Sequence, residues 1–143
     1  MPTMLARLGA ALLFALPSAW ERKTGTHAHI GIRTIPLVSI GACAYMLLAE
    51  HLLPEPEART RVIQGVIGGI GFIGGGAIFK QPGDVTGIAT AATIWNMGAI
   101  GTAVGYGDYW LGLLLSIASI VVLEFGRFTH WISSARRKKE REG

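Results

Sequence analysis

The sequence predicts an all-α, polytopic membrane bundle of about five transmembrane helices. Three observations carry this expectation. First, five apolar stretches follow one another, each of about 17–19 residues. At about 1.5 Å rise per residue, each covers most of a hydrocarbon core about 30 Å thick. Second, the polar connectors between the stretches are short, which makes consecutive helices antiparallel neighbours and leaves no separate soluble domain. Third, 50% of the residues are hydrophobic and only 15% are charged, with a mean hydropathy of +0.44. A soluble domain carries about 25% charged residues.

The stretches are Met4–Trp20, Ile35–Leu53, Val62–Phe79, Ile88–Val104 and Tyr109–Phe125. Arg7 ahead of an apolar run and Pro17-Ser18-Ala19 behind it superficially resemble a secretory leader. However, Pro17 stands where cleavage needs a small residue, so a retained first helix is expected. The segment 21–34 is the longest connector. Pro54–Arg61 carries two prolines and several charges. Lys80–Gly87 contains the turn signal Pro82-Gly83, and Gly105–Asp108 is very tight. Alternating polarity of the kind a membrane strand needs is not seen. The expected organisation is a single transmembrane domain over residues 1–132 and a basic cytoplasmic tail over 133–143.

Lys and Arg are unevenly placed. Arg22, Lys23, Arg33, Lys80, Arg127 and the tail residues Arg136, Arg137, Lys138, Lys139 and Arg141 fall on one side of the expected bundle. Arg7, Arg59 and Arg61 fall on the other. The positive-inside rule then predicts N-terminus outside and C-terminus in the cytoplasm. Trp20, Phe125, Phe128 and Trp131 mark the inner boundary, and Tyr106, Tyr109 and Trp110 the outer one. The formal net charge of +4 is concentrated in the tail. It reads as a topology signal and a site for anionic lipid headgroups, not as a nucleic-acid surface.

Several patterns point to chemistry, and most have a plainer packing explanation. Gly69-Ile70-Gly71-Phe72-Ile73-Gly74 matches the dinucleotide-binding GxGxxG spelling. It lies inside an apolar span without the preceding strand or following acidic residue that such a site requires. The GxxxG spacings Gly65/Gly69, Gly71/Gly75 and Gly101/Gly105 let helix backbones approach closely. The fourth stretch adds small residues, among them Thr90 and Thr93. The third and fourth helices are therefore expected to be the tightly packed centre. Asn96 lies mid-span, where an amide must find partners or pay several kcal/mol of desolvation, about 2–7 by most scales. It serves either as an interhelical hydrogen bond or as part of a polar route.

The remaining polar residues fall at the ends of the stretches. Glu50 and His51 end the second stretch and are expected to snorkel to water. Glu124 and Arg127 have the spacing of a local ion pair. Lys80 and Asp84 flank the Pro-Gly turn and are placed to pair across it. Arg33 and Thr34 open the second helix, where Arg33 could hold a phosphate or cap carbonyls. His27 and His29 lack the companions of a metal site, and Cys43 is alone, so no metal, cofactor or disulfide is expected. No Ser/His/Asp, HExxH or paired-carboxylate arrangement supports an enzyme.

Three ordered blocks stand out: Gly68-Gly69-Ile70-Gly71-Phe72-Ile73-Gly74-Gly75-Gly76-Ala77-Ile78, Val85-Thr86-Gly87-Ile88-Ala89-Thr90-Ala91-Ala92-Thr93-Ile94-Trp95 and Ala99-Ile100-Gly101. With Glu21-Arg22, Gly31-Ile32-Arg33-Thr34 and Leu37-Val38-Ser39-Ile40-Gly41-Ala42 upstream, the sequence resembles the MgtC/SapB family of bacterial inner-membrane proteins. Ile35 stands where many members have histidine, and the soluble C-terminal domain that many carry is absent from this sequence. The resemblance implies a multi-pass inner-membrane protein associated with growth under magnesium limitation and survival in hosts. The expected function is regulatory or interactive, through packing against another membrane protein or a second copy. The alternative is a small ion or solute transporter with a polar route through the third and fourth helices. No acidic residue lies mid-span, and magnesium favours oxygen ligands supplied by carboxylates and water. Arg33, Thr34, Gly69, Gly71, Gly75, Lys80, Asp84, Thr90, Thr93 and Asn96 are the candidate functional or packing residues.

Overall fold

The architecture comes from a computed structural model, which describes the backbone of residues 1–23 and 31–139 and the side chains of residues 1–21 and 31–126. His27, His29 and the side chains of Arg127 and the basic tail lie outside the described residues. Five helices and one small hairpin follow in order: α1 (Pro2–Lys23), α2 (Thr34–Leu52), α3 (Pro56–Gly76), β1 (Phe79–Gln81), β2 (Asp84–Thr86), α4 (Ile88–Tyr106) and α5 (Tyr109–Lys139).

The expectation of about five transmembrane helices is corrected by this structure. The bundle has five helices, but only three of those described are long and apolar enough to cross a membrane. They are Pro2–Glu21, Thr34–Leu52 and Tyr109–Gly126. The reason lies in composition. α3 starts at Pro56, two turns before the apolar stretch, so it takes in Glu57, Arg59 and Arg61, and glycines then dilute its apolar half. In α4, Thr90, Thr93, Asn96 and Thr102 interrupt the aliphatic residues.

The helix boundaries follow from local chemistry. Pro56 occupies the first turn of α3, where its missing N–H costs nothing, and Glu57 complements the positive helix end. α3 stops at Gly76 because the chain enters an antiparallel hairpin with Phe79 opposite Thr86, Lys80 opposite Val85 and Gln81 opposite Asp84. Gly83, after Pro82, takes φ +84°, the left-handed value that this Pro-Gly turn needs. Gly87 begins α4 at φ +87°, and a Cβ there would collide with the Ala77 carbonyl. Gly107 at φ +99° ends α4 and permits the immediate turn into α5. α5 continues as helix through Lys139, well beyond the apolar stretch.

Consecutive helices pack side by side, and α4 sits at the centre of the bundle. Its most extensive partner is α2, with α3, α5 and α1 around it. The expected α3–α4 centre is therefore replaced by α2–α4. A Cβ on Gly101 would collide with the Ser39 carbonyl, and one on Gly105 would lie 2.9 Å from the Cys43 carbonyl. These two glycines let the α2 and α4 backbones touch. Toward α3, Gly98 leaves room for the Ile70 side chain, and a Cβ on Gly74 would come within 3.2 Å of the Ala91 carbonyl. α1 closes the opposite side with Ala11, Ala15 and Ala19, all fully buried and one turn apart. They pack with Ile35, Cys43, Met97, Ile100 and Val104 in the two clusters beside α1.

Candidate functional site

The polar groups inside this bundle are few, and most of those described are joined across helices. Ser39 Oγ on α2 donates to the Ala11 carbonyl of α1 at 3.0 Å. Ser116 Oγ on α5 donates to the Phe14 carbonyl of α1 at 2.7 Å. Asn96 Nδ2 on α4 donates to Ser119 Oγ on α5 at 2.5 Å, and Ser119 Oγ donates onward to the Leu115 carbonyl at 2.6 Å. Hydrocarbon offers no replacement partner, so internal bonds of this kind hold the helices in register. Thr93 Oγ1 turns back to the Ala89 carbonyl at 2.8 Å within its own helix.

One end of the bundle carries a charged clamp. Arg7 Nη1 bonds the Glu50 carboxylate and also donates to the Gly105 carbonyl at 2.9 Å. It thereby joins α1, α2 and α4, and places its cation at the negative C-terminal end of α4. Glu50 lines two small polar hollows on either side of the clamp. One is about 250 Å³ with Thr3, Met4 and His51, and the other is about 220 Å³ with Arg59 and Tyr106. Arg59 Nε donates to the Leu53 carbonyl at 2.7 Å, which ties the start of α3 to the end of α2.

Two larger apolar cavities flank α3. One, of about 710 Å³, lies between α2 and α3 and includes Thr34, Gly41, Tyr45, Gly65 and Gly69 in its lining. The other, of about 310 Å³, lies between α3, α4 and α5 beside Trp95, Thr102 and Leu111. Of the residues of α3, only Val66, Ile70 and Gly74 are buried. A Cβ added at Gly65, Gly68, Gly69, Gly71, Gly75 or Gly76 would meet nothing within 4 Å.

The sequence candidates are dispersed over these features and do not form one site. Asn96 faces α5. Thr34 and Gly69 line the α2–α3 cavity. Gly71 and Gly75 lie on the exposed face of α3, and Thr90 and Thr93 are buried in α4. Arg33 is exposed at the start of α2, without a side-chain capping bond. Lys80 and Asp84 are exposed on opposite strands of the hairpin in different register pairs. The clamp at Arg7 and the bonds from Ser39, Ser116 and Ser119 were not singled out from sequence. The available signal was that each is a polar side chain within an apolar stretch, where it must find an acceptor. Among the described residues no group of three or more His, Cys, Asp or Glu could hold a metal ion.

A helical bundle with three apolar spans, internally joined polar groups and a glycine-rich third helix defines a multi-pass membrane protein. The MgtC family matches residues 8–131, and the chain belongs to it. Protein MgtC of Brucella abortus (strain 2308) is 37% identical over 102 residues, covering 71% of this chain and 42% of the relative. Protein MgtC of Salmonella typhimurium (strain 14028s) is 34% identical over 125 residues, covering 85% of this chain and 50% of the relative. The chain thus spans half or less of the length of these curated relatives. No solved structure matches.

Proposed function

We propose that this protein is a regulatory or interaction protein of the bacterial inner membrane, linked to magnesium homeostasis or stress adaptation, which acts by presenting α3 to a membrane partner. The observation that carries this reading is the outward face of α3. Helices α1, α2 and α5 present bulky side chains outward, among them Leu13, Leu48 and Val122, as befits contact with lipid chains. α3 presents Gly68, Gly71 and Gly75 beside Phe72, which is 84% exposed. Bare backbone gains little from lipid but packs closely against another helix.

The transporter reading has less support. Its polar centre, Asn96, is turned away from α3 and bonded to α5, and the two cavities beside α3 have mostly apolar linings. The Lys and Arg distribution supports an orientation that puts the Arg7–Glu50 end outside and the α5 C-terminus in the cytoplasm, its basic residues against anionic headgroups.

A photo-activatable residue in place of Phe72 tests the reading in native membranes. The proposal predicts a discrete cross-linked membrane protein from position 72 and not from Val122 on α5. Equal, diffuse lipid labelling at both positions would remove the interaction role. Loss of the captured species should accompany loss of growth at low magnesium when Gly71 and Gly75 are both made leucine.

A further inference from the structure

The inward side of α3 does not close against α2. The cavity of about 710 Å³ runs between them, from Thr34 and Ile73 at one end to Tyr45 and Val62 at the other. The α2 wall from Thr34 to Tyr45 is about 16 Å long at about 1.5 Å per residue. That is about half of a hydrocarbon core of about 30 Å, the depth of one leaflet. α2 is itself one of the three apolar spans. Spread over this length, the volume gives a mean cross-section of about 40 Å², well below the roughly 80–110 Å² of a helix with its side chains. The groove is therefore wide enough for extended hydrocarbon and too narrow to take in a helix. Glycine opens it from both walls, since a Cβ at Gly41, Gly65 or Gly69 would meet nothing within 4 Å. The polar side chains of the lining stand at its two ends, Thr34 and Tyr45.

Positive charge gathers where the groove begins. Arg33, next to Thr34, is exposed, and among the described residues its guanidinium has no hydrogen bond or ion pair. α3 runs back toward this end, so the hairpin that follows it brings Lys80 there, with Asp84 on the opposite strand. We propose that the α2–α3 groove binds one anionic phospholipid from the leaflet in which α2 begins. An acyl chain lies along Gly41, Gly65 and Gly69, and the phosphate sits on Arg33 and Thr34. The guanidinium offers forked donors to the phosphate oxygens, and Thr34 adds a hydroxyl at the same level. Chain and headgroup belong to one molecule, so each contact raises the effective concentration of the other. The site uses the inward side of α3 and does not depend on what its outward face meets.

Native mass spectrometry of the full chain in detergent tests this, with phosphatidylglycerol, phosphatidylcholine or inorganic phosphate added. The parent should retain one phosphatidylglycerol, hold phosphatidylcholine about fivefold more weakly, and release neither to inorganic phosphate. Arg33→Gln changes an exposed side chain and should bring both lipids to the weaker level. Gly41→Leu and Gly69→Leu fill the groove from opposite walls and should lose both lipids, whereas Gly71→Leu on the outward face should keep them. Glutamine at Arg136, Arg137, Lys138, Lys139 and Arg141 together should also leave the lipid bound. Phosphatidylglycerol held equally by Arg33→Gln, or by either groove-filling variant with its helicity intact, would overturn the proposal. Loss of the lipid with the tail substitutions would overturn it too, by placing the headgroup on the tail. Competition by inorganic phosphate would mark a soluble-anion site instead. A protein that co-purifies in place of lipid, and is lost in Gly69→Leu, would give the groove to a protein partner.

Discussion

Asn96 Nδ2 on α4 donates a hydrogen bond to Ser119 Oγ on α5, and Ser119 Oγ in turn donates to the Leu115 carbonyl. The mid-helix amide is thereby tied into a short relay that ends on backbone. Ser119→Ala should leave Asn96 short of an acceptor and lower stability by about 1 kcal/mol, the usual size of an interhelical bond in membranes. Asn96→Leu with Ser119→Ala should be less damaging than the two single losses added together. Unfolding in mixed micelles, run as a double-mutant cycle, measures the coupling.

The glycines of α4 and α3 should respond in opposite ways. Gly101→Ala puts a methyl group against the Ser39 carbonyl and must part α2 from α4. A cost of about 1–3 kcal/mol is expected, as for other overpacked cores. Gly71→Ala and Gly75→Ala meet open space and gain helix propensity, so the isolated chain should melt no lower than the parent. Thermal denaturation in detergent separates the two outcomes.

Arg7 should matter more than its acidic partner. Arg7→Gln loses both the Glu50 pair and the charged bond to the Gly105 carbonyl at the end of α4. Glu50→Gln loses only a half-exposed pair, worth about 0–1 kcal/mol. The expected order of melting temperatures is parent, then Glu50→Gln, then Arg7→Gln.

Orientation is open to a direct measurement. A reporter that is active only in the periplasm, fused after Gly143, should stay inactive. The same reporter fused ahead of Met1 should be active. The reverse pattern would refute the proposed orientation.

Much of this architecture was legible in the sequence, because apolar length and turn chemistry are local properties. The Pro82-Gly83 turn, the tight Gly105–Asp108 junction and the adjacency of consecutive helices all follow from residues close together in the chain. Membrane crossing was over-read because apolar stretches were judged by length while the glycines, threonines and early charges of α3 and α4 were discounted. The centre was misplaced for a different reason. GxxxG spacing shows that a close approach is available, not which helix takes it, and Gly101/Gly105 use it against α2 while Gly71/Gly75 face outward. Asn96 was recognisable as a residue needing a partner, but Ser119, 23 residues away, is brought to it only by the α4–α5 turn.

Flux through the purified protein tests the account most directly. In liposomes loaded with a magnesium-sensitive dye, the closed α2–α4 centre and the bonded Asn96 predict magnesium entry no faster than in protein-free vesicles, for the parent and for Asn96→Leu alike. Magnesium entry well above that baseline, lost in Asn96→Leu, would contradict the interaction role and return the polar route to first place.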